Sequence, residues 1–365
     1  SKTGLDSKET FGVKRLQKLG YKTALIGKWH LGKEGGEPDK QGFTDSRIAG
    51  AAGAPPSYFH PYHIARKGKS KEDFKPIDGP KDEYLTDRLA DESIDFIEKN
   101  KSKPFALVLA HYAVHTPLEA PEETTMLYKK KIRKLGLEVA KGSADKDIVT
   151  VDNGSSKTIQ NNPIYAAMLD HTDRGIGKIR AKLTELGIAD NTIIVITSDH
   201  GGLSTRSKDN KRNLATTNLP YRNGKGWVYD GGTRVPMIVV WPGKVKPNTV
   251  SLTQTHGTDH YPSILNMLDT ELPETVEIDG ISYLSALEGK DTKRAPLFFH
   301  SPLARPTQTG DHPASAIIDG DWKIIQFHPT KEVKEVRYEL YNLKTDPGEL
   351  TNLADKEKEA YQRMV

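Results

Sequence analysis

Apolar residues fall into two rhythms that alternate along most of this chain. Val13, Leu16 and Leu19 recur at helical spacing, Gly20 suits a C-terminal cap, and Tyr21 to Ile26 reads as a strand. Leu85, Leu89, Phe96 and Ile97 predict a second helix, broken before Pro104, and Phe105 to Leu109 a buried strand. Met168, Ile176, Ile179, Leu183 and Leu186 form a long helical stripe ending near Gly187. Thr192 to Thr197 follows as the clearest strand of the chain, and Met237 to Val240 is another, closed by Trp241-Pro242-Gly243. Continuous apolar strands alternating with helices predict a mostly parallel sheet flanked by helices on both faces.

From about Ser285 the rhythm shortens. Leu297 to His300, Ala316 to Ile318, Trp322 to Ile325 and Arg337 to Tyr341 are brief, turn-separated β segments. They predict a small antiparallel sheet, with a last helix starting near Asp355. The expected division is a large α/β domain over 1–284 and a smaller α+β subdomain over 285–365. Residues Gly142 to Asn162 are polar and Gly/Ser-rich, which predicts a surface excursion.

Composition narrows the function classes. The 365 residues suffice for one large domain with an appendage, and 35% hydrophobic content with 31 Gly and 22 Pro fits a loop-rich globular chain. Net charge is +4, from 53 basic and 49 acidic residues, too balanced to argue for nucleic acid as a partner. The run Lys129-Lys130-Lys131 with Arg133 and Lys134 reads most simply as a solvated helix face, the alternative being the border of an anionic polymer site. No apolar run approaches membrane-spanning length, so no membrane partner is expected. Cysteine is absent, which removes disulfides and thiolate metal sites.

Candidate chemistry sits where strands end. In open parallel sheets, ligands bind beyond the carboxyl ends of the strands. The strand 21–26 delivers Lys28 and His30, a fixed cation and a titratable imidazole two residues apart. Strand 105–109 leads into His111-Tyr112-Ala113-Val114-His115-Thr116-Pro117, and strand 192–197 delivers Ser198-Asp199-His200-Gly201-Gly202. Three such endings at the same end of one sheet predict a single site. Asp199 and His200 offer a carboxylate and an imidazole to a divalent ion, and the two glycines allow close backbone approach. Further on, Leu219 to Trp227 presents Lys225 in a glycine-rich loop, followed by Asp230-Gly231-Gly232-Thr233-Arg234.

As strings, Gly27-Lys28-Trp29-His30-Leu31-Gly32, His115-Thr116-Pro117, Ser198-Asp199-His200-Gly201 and the block around Lys225 resemble the motifs of the type I (formylglycine-dependent) sulfatases of the alkaline phosphatase superfamily. The similarity covers nearly the whole chain and implies an alkaline-phosphatase-like α/β fold. It implies a sulfuric ester hydrolase that removes sulfate from a sulfated carbohydrate, the partner expected here. Lys28, His30, His115 and Lys225 become the catalytic set, with Lys28 and Lys225 on the sulfate and His115 preferred over His111 as proton donor. Asp199 and His200 become metal ligands, with Ca2+ the ion implied. Arg222 is either structural or a sugar contact and is left unassigned, and Arg234 and Pro236 steer the next strand. A periplasmic or secreted location is the family expectation, and oligomeric state is left open.

The sequence also departs from the pattern. The family's nucleophile motif, Cys/Ser-x-Pro-x-Arg, lies N-terminal to the Gly-Lys-Trp-His block, and no such segment is present. Ser301-Pro302-Leu303-Ala304-Arg305 has proline one place early and falls in the smaller domain. The expectation is that the nucleophile belongs to a portion preceding this sequence. A catalytically inactive glycan- or calcium-binding relative, or a phospho- or phosphonoester hydrolase of the superfamily, are the alternatives.

Overall fold

The first apolar stripe folds as α1 (Gly12–Lys18), capped through Gly20 at φ 87°, and feeds β1 (Lys22–Gly27), whose residues after Lys22 are all buried. The computed structural model describes residues 12–32, 36–50, 52–62, 78–140, 147–151, 154–273, 277–290, 294–331 and 333–365. Next come β2 (Asp45–Arg47), α2 (Leu85–Asn100), β3 (Phe105–Ala110), α3 (Glu122–Lys134), β4 (Ile148–Val151), β5 (Gly154–Lys157) and α4 (Pro163–Glu185). They are followed by β6 (Ile194–Thr197), β7 (Thr205–Ser207), the short α5 (Asp230–Thr233), β8 (Met237–Val240), α6 (His260–Met267) and α7 (Leu284–Leu287). The chain closes with β9 (Leu297–Ser301), β10 (Ala314–Asp319), β11 (Trp322–Phe327), β12 (Arg337–Asn342) and α8 (Lys358–Met364).

β1 is the centre of a parallel β2-β1-β3 sheet, with Ala24 opposite both Asp45 and Leu107. The apolar face of α2 covers it, and α4 packs on α2 behind. Ala24, Ile26, Leu85, Leu89, Phe96, Met168 and Leu183 share one core with the buried Tyr58 and Tyr62. Burying side chains of this size contributes on the order of 2 kcal/mol each. Asn162 caps α4 by accepting from the amides of Ile164 and Tyr165, both at 3.1 Å, which fixes the start of this 23-residue helix.

The four-stranded sheet β12-β11-β10-β9 is antiparallel throughout, and β10 alternates buried and half-buried positions along its length. It packs on Trp227, Val228 and Tyr229, which lie just before α5. Lys323 of β11 is wholly buried and is neutralised by Asp230 and Glu349, each at 2.8 Å.

Two expectations are corrected. β8 pairs antiparallel with β6, Val195 opposite Val239, and β6 is not hydrogen-bonded to β3 among the described residues. The three site-bearing strands therefore do not share one hydrogen-bonded sheet. A parallel return needs a crossover of a dozen or more residues, usually a full helix. Between β6 and β8 the only helix is the four-residue α5. The polar stretch 142–162 also contains more than loop: β4 and β5 form a hairpin that pairs onward to β7. Its Gly/Ser composition hides this, because the strand is held by backbone pairing and by the buried Lys157–Asp147 ion pair at 2.6 Å.

Candidate active site

The turn after β1 separates its three side chains by direction. Gly27 sits at φ 101°, against the carbonyl of Ala110, and Lys28 N donates to that same carbonyl at 2.7 Å. A side chain at position 27 would collide with the β3 backbone, so glycine is required here. Trp29 turns inward: its Nε1 donates to Gly36 O at 2.7 Å and its ring meets Phe43 edge-on. Lys28 and His30 are left facing the cleft. His30 adopts φ 56°, its amide donates to Gly50 O, and its ring lies against the bare backbone of Gly53.

The chain leaving β3 is pinned by Tyr58, whose hydroxyl donates to Tyr112 O at 2.7 Å and His115 O at 2.9 Å. The peptide bonds Ala113–Val114 and Thr116–Pro117 are cis. His115 Nδ1 lies 2.8 Å from Thr116 O, so that nitrogen carries the proton and Nε2 is the free one in the neutral ring. His111 does not join the site. Neither ring nitrogen has a partner among the described residues, and burial pushes its pKa down to about 4.

Beyond β6, Asp199 is two-thirds exposed, and His200 Nε2 lies 3.1 Å from its Oδ2. The glycines after them serve packing. Gly201 N donates to Gly232 O at 2.9 Å, and a Cβ on Gly201 would collide with the backbone of Gly231. Gly224 is wedged against Gly202 in the same way, and Lys225 N donates to Gly202 O at 3.1 Å. The Asp-His-Gly-Gly turn and the Lys225 loop thus form one interlocked unit, which carries Lys225 across to the strand ends.

The result is an open cleft of about 490 Å³ lined by Lys28, His30, Gly53, Ala54, His115, Asp199, His200, Lys225 and Arg305. All six residues singled out in the sequence meet here. Arg305 was set aside as lying in the smaller domain, yet the turn after β9 brings it to the rim. A second cleft of about 310 Å³, behind β4 and β5, is lined mainly by Thr217, Pro220, Tyr221 and Leu350. Its charged residues serve structure: Lys157 is ion-paired, and Arg222 stacks 4.1 Å over Tyr229 and donates to Tyr341 and Glu349 O.

Positive charge dominates the electrostatics. Burial lowers the pKa of His30, and Lys28 and Lys225 lower it further. Burial likewise lowers that of His115, with Lys225, Lys28 and His200 adding to the effect. Lys225 is itself held below its ordinary value by burial and by Lys28, against a partial offset from Asp199. Each shift marks a charged form penalised in the free protein and favoured by an incoming anion.

Asp199 and His200 fit as two donors of a divalent-cation site, an exposed carboxylate and an imidazole in mutual contact. They do not complete one, since no group of three or more His, Asp or Glu side chains is placed to hold a metal among the described residues.

Basic side chains and imidazoles gathered beyond the strand ends, facing a carboxylate–imidazole pair, define an α/β protein built to handle an anion. The chain belongs to the sulfatase family, within the alkaline phosphatase superfamily. The Sulfatase profile matches residues 13–270, and that of N-sulphoglucosamine sulphohydrolase, C-terminal, matches 223–364. It is 31% identical over 303 residues to the uncharacterized sulfatase YdeN of Escherichia coli (strain K12), covering 79% of this chain and 48% of that protein. It is 28% identical over 297 residues to the N-acetylgalactosamine-6-O-sulfatase of Bacteroides thetaiotaomicron, covering 78% and 50%. The crystal structure of Ps i-CgsB superposes with a TM-score of 0.77 at 25% identity, over all of this chain and 74% of that one. Its fold is alkaline-phosphatase-like, a parallel sheet with a C-terminal antiparallel sheet. The chain spans about half the length of these curated relatives. The family in general implies a divalent metal and a formylglycine. No helix among the described residues is long and apolar enough to cross a membrane.

Proposed function

We propose that this chain carries much of the active site of a sulfuric ester hydrolase that removes sulfate from a sulfated carbohydrate, working outside the cytoplasm in the periplasm or as a secreted protein. The observation that carries the reading is the convergence of Lys28 and Lys225 with His30 and His115 in one cleft. Relatives named as N-acetylgalactosamine-6-O-sulfatase, and a neighbour solved with k-i-k-neocarrahexaose, support the carbohydrate class.

Sulfate monoester hydrolysis develops negative charge on the leaving sugar oxygen and redistributes it over the transferring group. Lys28 and Lys225 stabilise the sulfate oxygens as preorganised cations, which need no reorganisation when the charge shifts. His115 donates a proton from Nε2 to the leaving oxygen. Its pKa, low in the free protein, rises when the sulfate screens the two lysines, so substrate binding itself loads the acid. His30, kept neutral, accepts a hydrogen bond from the attacking hydroxyl and orients it. The nucleophile is assigned to no residue of this sequence. Asp199 and His200 would supply two ligands to a divalent ion, Ca2+ on the family resemblance, whose positive charge polarises the sulfate.

The test is sulfate release from sulfated oligosaccharides by the full-length protein. Lys28→Ala should lower kcat/KM by about 10²–10³-fold, the effect of losing one preorganised donor to developing charge, with an unchanged far-UV spectrum. Wild-type turnover by that variant would overturn the reading. Calorimetric titration with Ca2+ tests the metal ligands independently of turnover: Asp199→Ala should abolish binding that the parent protein shows.

A further inference from the structure

A sulfate monoester carries one negative charge, and Lys28 and Lys225 already exceed it. The cleft holds more. Arg305 lines it from the smaller domain, and Arg212 lies close enough to both Arg305 and Lys225 to disfavour the charge of Lys225. None of these four cations forms an ion pair among the described residues. Arg212 is the more telling of the pair: its Nε and Nη2 are buried without a hydrogen-bond partner. Burial and Arg305 both hold its pKa below the usual guanidinium value, with Asp311 a partial offset. Buried donors of a charged group left without partners are costly, and an anionic ligand would satisfy them.

The carboxylate that offsets Arg212, Asp311, is hydrogen-bonded through one oxygen only, and its Oδ2 is buried without a hydrogen-bond partner. Asp311 Oδ1 accepts from Arg305 N at 3.1 Å and from the hydroxyl of Thr309. It shapes the turn instead of pairing with either guanidinium. That turn is firmly held. Gln308 and Thr309 amides return to Arg305 O at 2.9 and 3.0 Å, Ser207 N and Oγ donate to Gln308 O and Thr307 O, and Trp227 Nε1 donates to Thr309 O at 3.1 Å. Gly226, next to Lys225, packs directly on Thr309 and Asp311. Lys225 and Arg305 are therefore mounted on one rigid junction between the two domains, at a fixed spacing.

We propose that Arg305, supported by Arg212, forms a second anion subsite beside the Lys28–Lys225 pair, so that the favoured ligand is a saccharide bearing another anionic group besides the sulfate those lysines hold. The planar guanidinium fork matches the oxygens of a sulfate ester or a carboxylate in bidentate fashion, which a lysine cannot do. Arg305 is then a specificity-determining residue, and Arg212 a positioning residue that holds the local field positive. The proposal rests on the sulfatase reading of the cleft.

Calorimetric binding to the full-length protein, rendered inactive by His115→Ala, separates the two ideas. The probes are a disaccharide with one sulfate ester, one with two, and one with a sulfate and a carboxylate. The parent should bind at least one doubly anionic disaccharide about tenfold more tightly than the monosulfated one. The two doubly anionic probes distinguish a sulfate from a carboxylate as the second group. Arg305→Ala should collapse that ratio towards one, Arg305→Lys should restore part of it, and Arg212→Ala should reduce it. Equal affinity of the parent for all three probes, or a ratio unchanged in Arg305→Ala, would overturn the second subsite. Failure of every sulfated probe to bind, with no effect of Lys225→Ala, would overturn the sulfatase reading itself.

Discussion

The junction with the C-terminal sheet and the cleft above it treat buried charge in opposite ways. Lys323 is completely buried and lies 2.8 Å from each of two carboxylates, Asp230 and Glu349. Lys225 is half-buried about a hundred positions earlier in the chain, and its neighbours are Lys28, Arg305 and Arg212, with Asp199 the one offset. A balanced cluster holds two parts of a fold together. An unbalanced one stores repulsion that a ligand of opposite charge relieves. Both clusters hang on the same segment, since Asp230 and Lys225 lie five residues apart.

Breaking the balanced cluster should have the largest effect. Lys323→Met leaves Asp230 and Glu349 buried together with only the largely exposed Arg234, 3.6 Å from Asp230, as a cation, and should destabilise the protein by about 3–5 kcal/mol, read from the urea midpoint. The sign of its pH dependence is fixed by Glu349, whose carboxyl is raised above the usual range, chiefly by burial. A raised carboxylate contributes stability below its unfolded pKa and loses it as pH rises, so acidification should restore part of the loss. An unchanged midpoint would contradict the structural role of the triad.

Gly201→Ala probes the interlock joining the two clusters. The new methyl meets the backbone of Gly231, so a loss of about 1–3 kcal/mol is expected. Sulfate-probe binding should fall with it, because Lys225 hangs on the same contact. Wild-type stability in this variant would show that the loops separate freely.

Lys225→Ala should behave in the opposite sense to Lys323→Met. Removing a penalised cation leaves the melting temperature unchanged or slightly higher, while sulfate affinity is lost. The smallest effect is the most local. His30 and His115 should titrate below 6.5 by NMR, and both midpoints should rise in Lys225→Ala, since Lys225 lowers each. For a histidine with a depressed folded pKa, the unfolded chain binds more protons just below pH 6.5. Stability should therefore decline as pH falls through that window. Midpoints that ignore Lys225 would mean the cleft is wetter and better screened than its geometry implies.

Much of the site was legible because its residues sit at strand ends. The strand 21–26 and the six-residue string beginning at Gly27 placed Lys28 and His30, and His115-Thr116-Pro117 distinguished His115 from His111. Arg305 was illegible. Its segment reads as a near-miss of a motif, and only the clamp formed by Ser207, Trp227 and Asp311 turns it towards Lys225. The hairpin at 148–157 was hidden for a related reason: its strands are specified by backbone partners far along the chain, not by apolar alternation.

Local periodicity by itself determined the main apolar helices and strands and the small antiparallel sheet after Ser285, because burial of one face imposes a 3.6- or two-residue repeat. The same patterns named the side chains that leave each strand. Tertiary structure alone decided that β8 returns antiparallel to β6, and that the glycines after His200 serve backbone packing. It also decided that Lys28, Lys225 and Arg305, cations from three loops with no ion-pair partner among the described residues, share one cleft. Each depends on residues tens to hundreds of positions apart, and no periodicity records which distant backbone will occupy the space beside a glycine.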